Sequence, residues 1–155
     1  MPHFTTKRRV RHSAEAMFDL VADMNSYPEF VPLCAGMRVR GRNQVSDGVE
    51  VATAAMTVAY KMFHETFTTR VTMNRPELWI KVEYIDGPLR ALENRWTFHP
   101  RGEHACEVEF FITYEFASRV LGALMGAVFD AAFRRFAEAF ERRADQIYGR
   151  KVTQT

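Results

Sequence analysis

Cysteine is scarce in this chain. Cys34 and Cys106 are the only two in 155 residues, and neither belongs to a Cys-x-x-Cys or to a Cys/His pair at zinc-ligand spacing. A zinc finger and a disulfide-stapled scaffold are thereby excluded, and reduced thiols with no metal are expected. Charge of one sign is lacking too: 21 Lys and Arg against 19 Asp and Glu leave +2, so nothing marks a strongly basic DNA binder and no DNA partner is expected. No apolar run approaches the roughly 18 residues of a membrane span. The opening MPHFTTKRRVRH has no apolar h-region, so neither a secretory leader nor a transit peptide is expected, and a cytoplasmic location follows. Glycine (8) and proline (6) are too few for a linker-rich or low-complexity chain. What is abundant is soft apolar bulk, with 13 Phe and 8 Met. Residues 1–155 are read as one domain, long enough to bury roughly 70 % of the unfolded surface in a single core.

Periodicity orders the elements. Phe4 to Arg11 alternates like a strand, after which Ser13 can cap a helix with Met17, Leu20, Val21 and Met24 on one face. Ser26-Tyr27-Pro28-Glu29 reads as a capping box opening a second helix of a turn or two that Pro32 ends. Six strands follow near 37–46, 49–60, 62–74, 77–85, 90–99 and 104–116, joined by short turns that imply an antiparallel meander. Along the last strand Cys106, Val108, Phe110, Ile112, Tyr114 and Phe116 alternate with Glu107, Glu109 and Glu115, so one sheet face is covered and the other is wet. The cover is a long helix from Ser118 to Gly149. Its first half is apolar nearly all round, with a bulky stripe of Leu121, Met125, Phe129 and Phe133. Gly122, Ala123, Gly126, Ala127, Ala131 and Ala132 are the small residues beside that stripe. They either pack tightly on the sheet or leave room for a ligand.

The stretch SYPEFVPLCAG is unlike a surface loop. Around two prolines it carries Tyr27, Phe30, Val31, Leu33 and Cys34, apolar groups that must face something. For catalysis the chain offers little: His3, His12, His64, His99 and His104 have no adjacent partner for a triad. Glu65 shares the inward parity of Phe67 and Val71. It hydrogen-bonds a ligand, meets Arg70 or Arg90 at an edge, or turns outward at a bulge. By the same parity Trp96 faces in. Cations recur on alternate positions, with Lys7, Arg9 and Arg11 on the first strand and Arg38, Arg40 and Arg42 on the second.

FDLVADMNSYPEFVPLC (Phe18–Cys34), HETFTTRVTM (His64–Met73) and LENRWTF (Leu92–Phe98) resemble the coenzyme-Q-binding and RatA branch of the START, or polyketide-cyclase-like, superfamily, over about Thr6 to Ile147. The resemblance implies an α+β helix-grip fold: a curved seven-stranded antiparallel sheet, two short helices, and a long C-terminal helix gripped over an apolar cavity. Phe30, Val31 and Leu33 would then stand at the cavity mouth. The walls would come from Phe67, Val71, Trp96, Phe98 and Phe110 of the sheet and Leu121, Met125, Phe129 and Phe133 of the helix, with Glu65 as a candidate polar contact.

The resemblance further implies a non-enzymatic binder of ubiquinone or a similar polyprenyl lipid, a chaperone or carrier supporting respiratory electron transport. No other cofactor is required. A ribosome-association toxin of the RatA type is the alternative, and a cyclase-type enzyme comes third. The helix-grip topology is expected to make the two cation-bearing strands neighbours, so that Lys7, Arg9, Arg11, Arg38, Arg40 and Arg42 form one surface for an anionic partner. That partner would be the inner membrane face, placing the protein peripherally on it, or the ribosome. Neutralisation by Glu107, Glu109 and Glu115 is the competing expectation.

Overall fold

The computed structural model describes residues 2–149. A first strand β1 (His3–Val10) leads to helix α1 (Ala14–Ala22) and a 3-10 turn over Met24–Glu29. A meander follows: β2 (Cys34–Ser46), β3 (Val49–Tyr60), β4 (Phe63–Asn74), β5 (Trp79–Asp86), β6 (Leu89–Pro100) and β7 (Cys106–Phe116). Helices α2 (Arg119–Arg134) and α3 (Phe136–Tyr148) close the chain. All seven strands form one antiparallel sheet in the order β1-β7-β6-β5-β4-β3-β2. Alternation along β7 is realised residue by residue: Cys106, Val108, Phe110, Ile112 and Tyr114 are buried, and the glutamates between them are not.

Ser13 caps α1 as its sequence indicates, its hydroxyl accepting from the Ala16 amide at 3.0 Å. The second helix differs from expectation. It starts at Met24 and ends at Glu29, without a capping box, and Ser26 instead donates its hydroxyl to Asp23 at 2.7 Å. The short turn tolerates Pro28 because it closes through other amides, Ser26 N to the Asp23 carbonyl at 3.2 Å and Phe30 and Val31 N to the Tyr27 carbonyl at 3.1 and 2.9 Å. Ser118 caps α2 by accepting from Leu121 N at 3.2 Å.

The C-terminal helix is interrupted at Arg135, whose amide bonds back to Ala132 at 3.0 Å in a tighter i−3 turn. α2 and α3 are therefore separate helices, joined by this one residue. The buried stripe runs through Met125, Phe129, Ala132, Ala137, Phe140 and Ala144.

The topology corrects one expectation. β1 and β2 are not neighbours but occupy opposite edges of the sheet, so the six cations cannot form one surface through strand pairing. The long meander inserts five strands between the two. Lys7 and Arg9 instead stand opposite Glu109 and Glu107 on β7, carboxylates whose side chains bond His99 at 2.9 Å and Arg101 at 3.3 Å. Arg11 lies just past the end of β1, and Arg42 is held by Glu50 at 3.0 Å and by the Ala22 carbonyl at 3.1 Å.

Candidate ligand cavity

Between the concave face of the sheet, the 24–33 segment and the two C-terminal helices lies a cavity of about 120 Å³. Its wall is built by inward parity on five strands: Met37 of β2, Ala54, Met56 and Val58 of β3, Phe67, Thr69 and Val71 of β4, Ile80 and Val82 of β5, and Leu92, Asn94 and Trp96 of β6. Ile112 of β7 joins them. Phe129, Ala132 and Phe133 of α2, with Phe136 and Phe140 of α3, form the roof.

The stretch around the two prolines finds its partner here. Tyr27, Pro32 and Leu33 line the cavity. The Tyr27 hydroxyl donates to the Val21 carbonyl, and burial pushes its ionisation well above the ordinary tyrosine range. Phe30 and Val31 do not reach the wall. Val31 is buried behind it, and Phe30 packs edge-on to Phe140 at 4.9 Å beneath the Arg143 guanidinium at 5.1 Å. Leu33 has φ +67, a left-handed conformation that costs a branched side chain on the order of 1 kcal/mol. Its carbonyl accepts from Ala59 N at 3.0 Å, which pins the segment to β3.

Polar groups in the wall are few and already engaged. Asn94 donates Nδ2 to the Phe111 carbonyl at 2.8 Å and accepts the Trp96 indole N–H at 3.1 Å. Thr69 donates to the Ala54 carbonyl at 3.4 Å. With those bonds satisfied internally, the cavity offers apolar contact and one amide that keeps a second N–H for a ligand. Of the expected wall residues, Leu33, Phe67, Val71, Trp96, Phe129 and Phe133 line the space. Phe98 and Phe110 are core beside it, with Trp96 stacked on Phe98 at 6.2 Å and edge-on to Phe110 at 4.8 Å. Met125 is buried away from the wall, and Leu121 packs on the core near the start of α2.

Glu65 keeps its inward parity opposite Val58 but is exposed, outside the cavity lining. The small residues of α2 mostly face elsewhere. Ala123, Ala127 and Ala131 are exposed, a Cβ on Gly126 would meet open space, and Ala132 alone among them borders the cavity. Wall residues that escaped the sequence reading, Met37, Met56 and Asn94 among them, sit at inward parity on strands already assigned; parity alone was the signal that could have found them.

Neither cysteine is part of a reactive site. Both are free and buried. Burial pushes the Cys106 thiol up to about 12 and raises Cys34 as well, against a smaller lowering by hydrogen bonding with the Gly36 backbone. No cluster of three or more metal-ligating side chains occurs among the described residues, and none of their helices is long and apolar enough to cross a membrane.

A family described as polyketide cyclase / dehydrase and lipid transport matches residues 10–141. The chain belongs to this family. It is 34 % identical over 150 residues to the ribosome association toxin RatA of Escherichia coli K12, a match that spans 96 % of this chain and 90 % of that one. It is also 30 % identical over 143 residues to the mitochondrial coenzyme Q-binding protein COQ10 homolog B of Xenopus laevis, covering 90 % of this chain but only 56 % of that longer protein. A START superfamily protein from Mycobacterium smegmatis superposes with a TM-score of 0.78 at 22 % identity, over 94 % of this chain and 98 % of the other. The family's helix-grip architecture is thus the one formed here, an α+β fold with its apolar cavity between sheet and C-terminal helices.

Proposed function

We propose that this protein acts non-enzymatically in the cytoplasm by associating with the ribosome, in the manner named for the RatA relatives. The observation that carries this reading is the near end-to-end match to RatA, 96 % of one chain against 90 % of the other. It leaves no room for a separate module to account for that relative's activity. The expected result is co-sedimentation of the purified protein with a ribosomal subunit at moderate salt, and a reduced fraction of joined ribosomes when it is in excess. Sedimentation only at the top of the gradient would end this reading.

The cavity favours a second reading, binding of an apolar small molecule, with the coenzyme Q-binding relative pointing to a polyprenyl quinone. Its size sets a limit. A cavity of roughly 150 Å³ takes one benzene ring, so about 120 Å³ holds at most a single ring or a short piece of chain, and a full polyprenyl tail exceeds it. Each buried CH₂ would contribute about 0.8 kcal/mol. Ala54, 3 % exposed and at the wall, is the place to test it: Ala54→Phe fills the space, and a ligand recovered by organic extraction from the parent protein should be absent from the variant. Equal recovery from both would remove the cavity as its site.

A further inference from the structure

We infer that the outer face of β2, β3 and β4 is a docking surface for the phosphate backbone of folded RNA, an inference that rests on the ribosome-association reading and gives it a location. In strand register this face shows three rows: Arg40–Thr53–Arg70, Arg38–Ala55–Thr68 and Gly36–Thr57–Thr66. Arg38, Arg40 and Arg70 are exposed and have no ion-pair or hydrogen-bond partner among the described residues.

Elsewhere on the same sheet face charge is consumed locally. Lys81 meets Glu83 at 3.7 Å, Arg95 meets Glu93 at 3.1 Å and Arg101 meets Glu107 at 3.3 Å. Carboxylates enter the three rows only at their β5 border, as Glu83, already shared with Lys81, and Asp86 opposite Thr68. Unpaired cations on this face, among the described residues, therefore stand on β2 and β4, and at the far edge of the sheet as Lys7 and Arg9, which at least face Glu109 and Glu107 in register.

Its chemistry fits an RNA backbone. Between the arginines lie short hydroxyl side chains, with Thr57 and Thr66 oxygens 3.5 Å apart, and no large apolar group is exposed within the rows. Basic charge alone can hold a protein to an anionic membrane, and vesicle binding is therefore one arm of the test. The arginines stand about 7 Å apart along β2 and about 10 Å apart across β2 to β4, each a planar fork suited to phosphate oxygens. Threonine hydroxyls can serve phosphate or ribose. Absence of aromatic side chains from these rows argues for backbone contact with a duplex rather than stacking on single-stranded bases.

The experiment compares the parent protein with an Arg38→Gln/Arg40→Gln/Arg70→Gln variant for binding to purified ribosomal subunits, to a base-paired RNA, and to vesicles containing anionic phospholipid, across a salt series. Thermal unfolding serves as the control for folding. The expected result is at least about a tenfold weaker subunit and RNA binding for the variant, with a salt slope shallower by about two to three, while Lys7→Gln/Arg9→Gln changes binding by less than about twofold. If the parent binds subunits and the triple variant binds them equally well, the face is wrong though the function stands. If the parent binds duplex RNA through these arginines but no subunit, the face stands and ribosome association fails. Loss of vesicle binding with RNA binding intact, or no RNA binding by the parent at all, overturns the inference.

Discussion

Replacing Phe140 by Ala should lower the unfolding free energy by about 3–5 kcal/mol, the range for truncating a buried aromatic ring in a packed core. In thermal unfolding that corresponds to a fall in Tm on the order of 10 °C. Phe140 is 1 % exposed and is where three parts of the molecule meet. Its ring lies edge-on to Tyr27 at 5.3 Å and to Phe30 at 4.9 Å, both from the segment after α1, and to Trp96 of β6 at 4.9 Å. The side chain also forms part of the cavity roof, so truncation enlarges an existing void instead of letting neighbours collapse, which places the loss toward the upper end. Phe140→Leu, keeping most of the volume, should cost much less. A change below about 1 kcal/mol for the Ala variant would show that α3 is not anchored through this ring.

Gly87→Ala should cost about 2–4 kcal/mol, through backbone geometry and not through lost contact. Gly87 has φ +144, a region that glycine alone occupies readily, and an added Cβ would stand 2.9 Å from the Thr66 carbonyl oxygen and 2.8 Å from the Tyr84 hydroxyl. The hydroxyl is itself fixed, accepting from Leu89 N at 2.9 Å, so neither neighbour can retreat without disturbing the β5–β6 turn. Gly126→Ala is the matched control. That glycine is mid-helix with nothing within 4 Å of a new Cβ, and the same substitution there should stabilise by about 0.5–1 kcal/mol. Denaturant midpoints for the two variants should move in opposite directions. Parallel shifts would contradict the account of Gly87.

Much of this architecture is legible in the sequence because its signals are local. Alternation fixed the inward side of β7 from Cys106 to Tyr114, and turn residues placed the six meander strands to within a few positions. What stayed hidden depends on distant partners. Ser26 lies three residues before Glu29 as a capping box requires, yet Asp23 competes for its hydroxyl and wins. The i−3 turn at Arg135 splits a stretch whose apolar periodicity reads as one continuous helix. β1 pairs with β7, some hundred positions on, so that Lys7 stands opposite Glu109, while Arg38 and Arg40 lie at the other edge of the sheet on β2. Parity could say that Trp96, Phe98 and Phe110 all point inward. Only three-dimensional packing decides that Trp96 borders open space while the other two fill it.

The helix interruption at Arg135 also divides the C-terminal segment by how firmly it is tied. α3 is bound to the rest of the molecule by polar links at several points: Glu141 to Arg8, Asp145 to the buried His12 at 2.7 Å, Arg143 to Glu29 at 2.6 Å, and the Tyr148 hydroxyl to the Ala16 carbonyl at 3.1 Å. α2 has the Arg134 guanidinium over Phe4 at 4.7 Å and apolar packing, while Val120 and Leu124 remain about 70 % exposed. Two neighbouring helices of one chain thus belong to different cooperative units. Amide hydrogens of α2 should exchange with solvent through a partial opening well below the free energy of global unfolding, and those of α3 only when the whole domain unfolds. Opening of α2 would withdraw Phe129, Ala132 and Phe133 from the cavity roof, with the sheet and α3 keeping their shape.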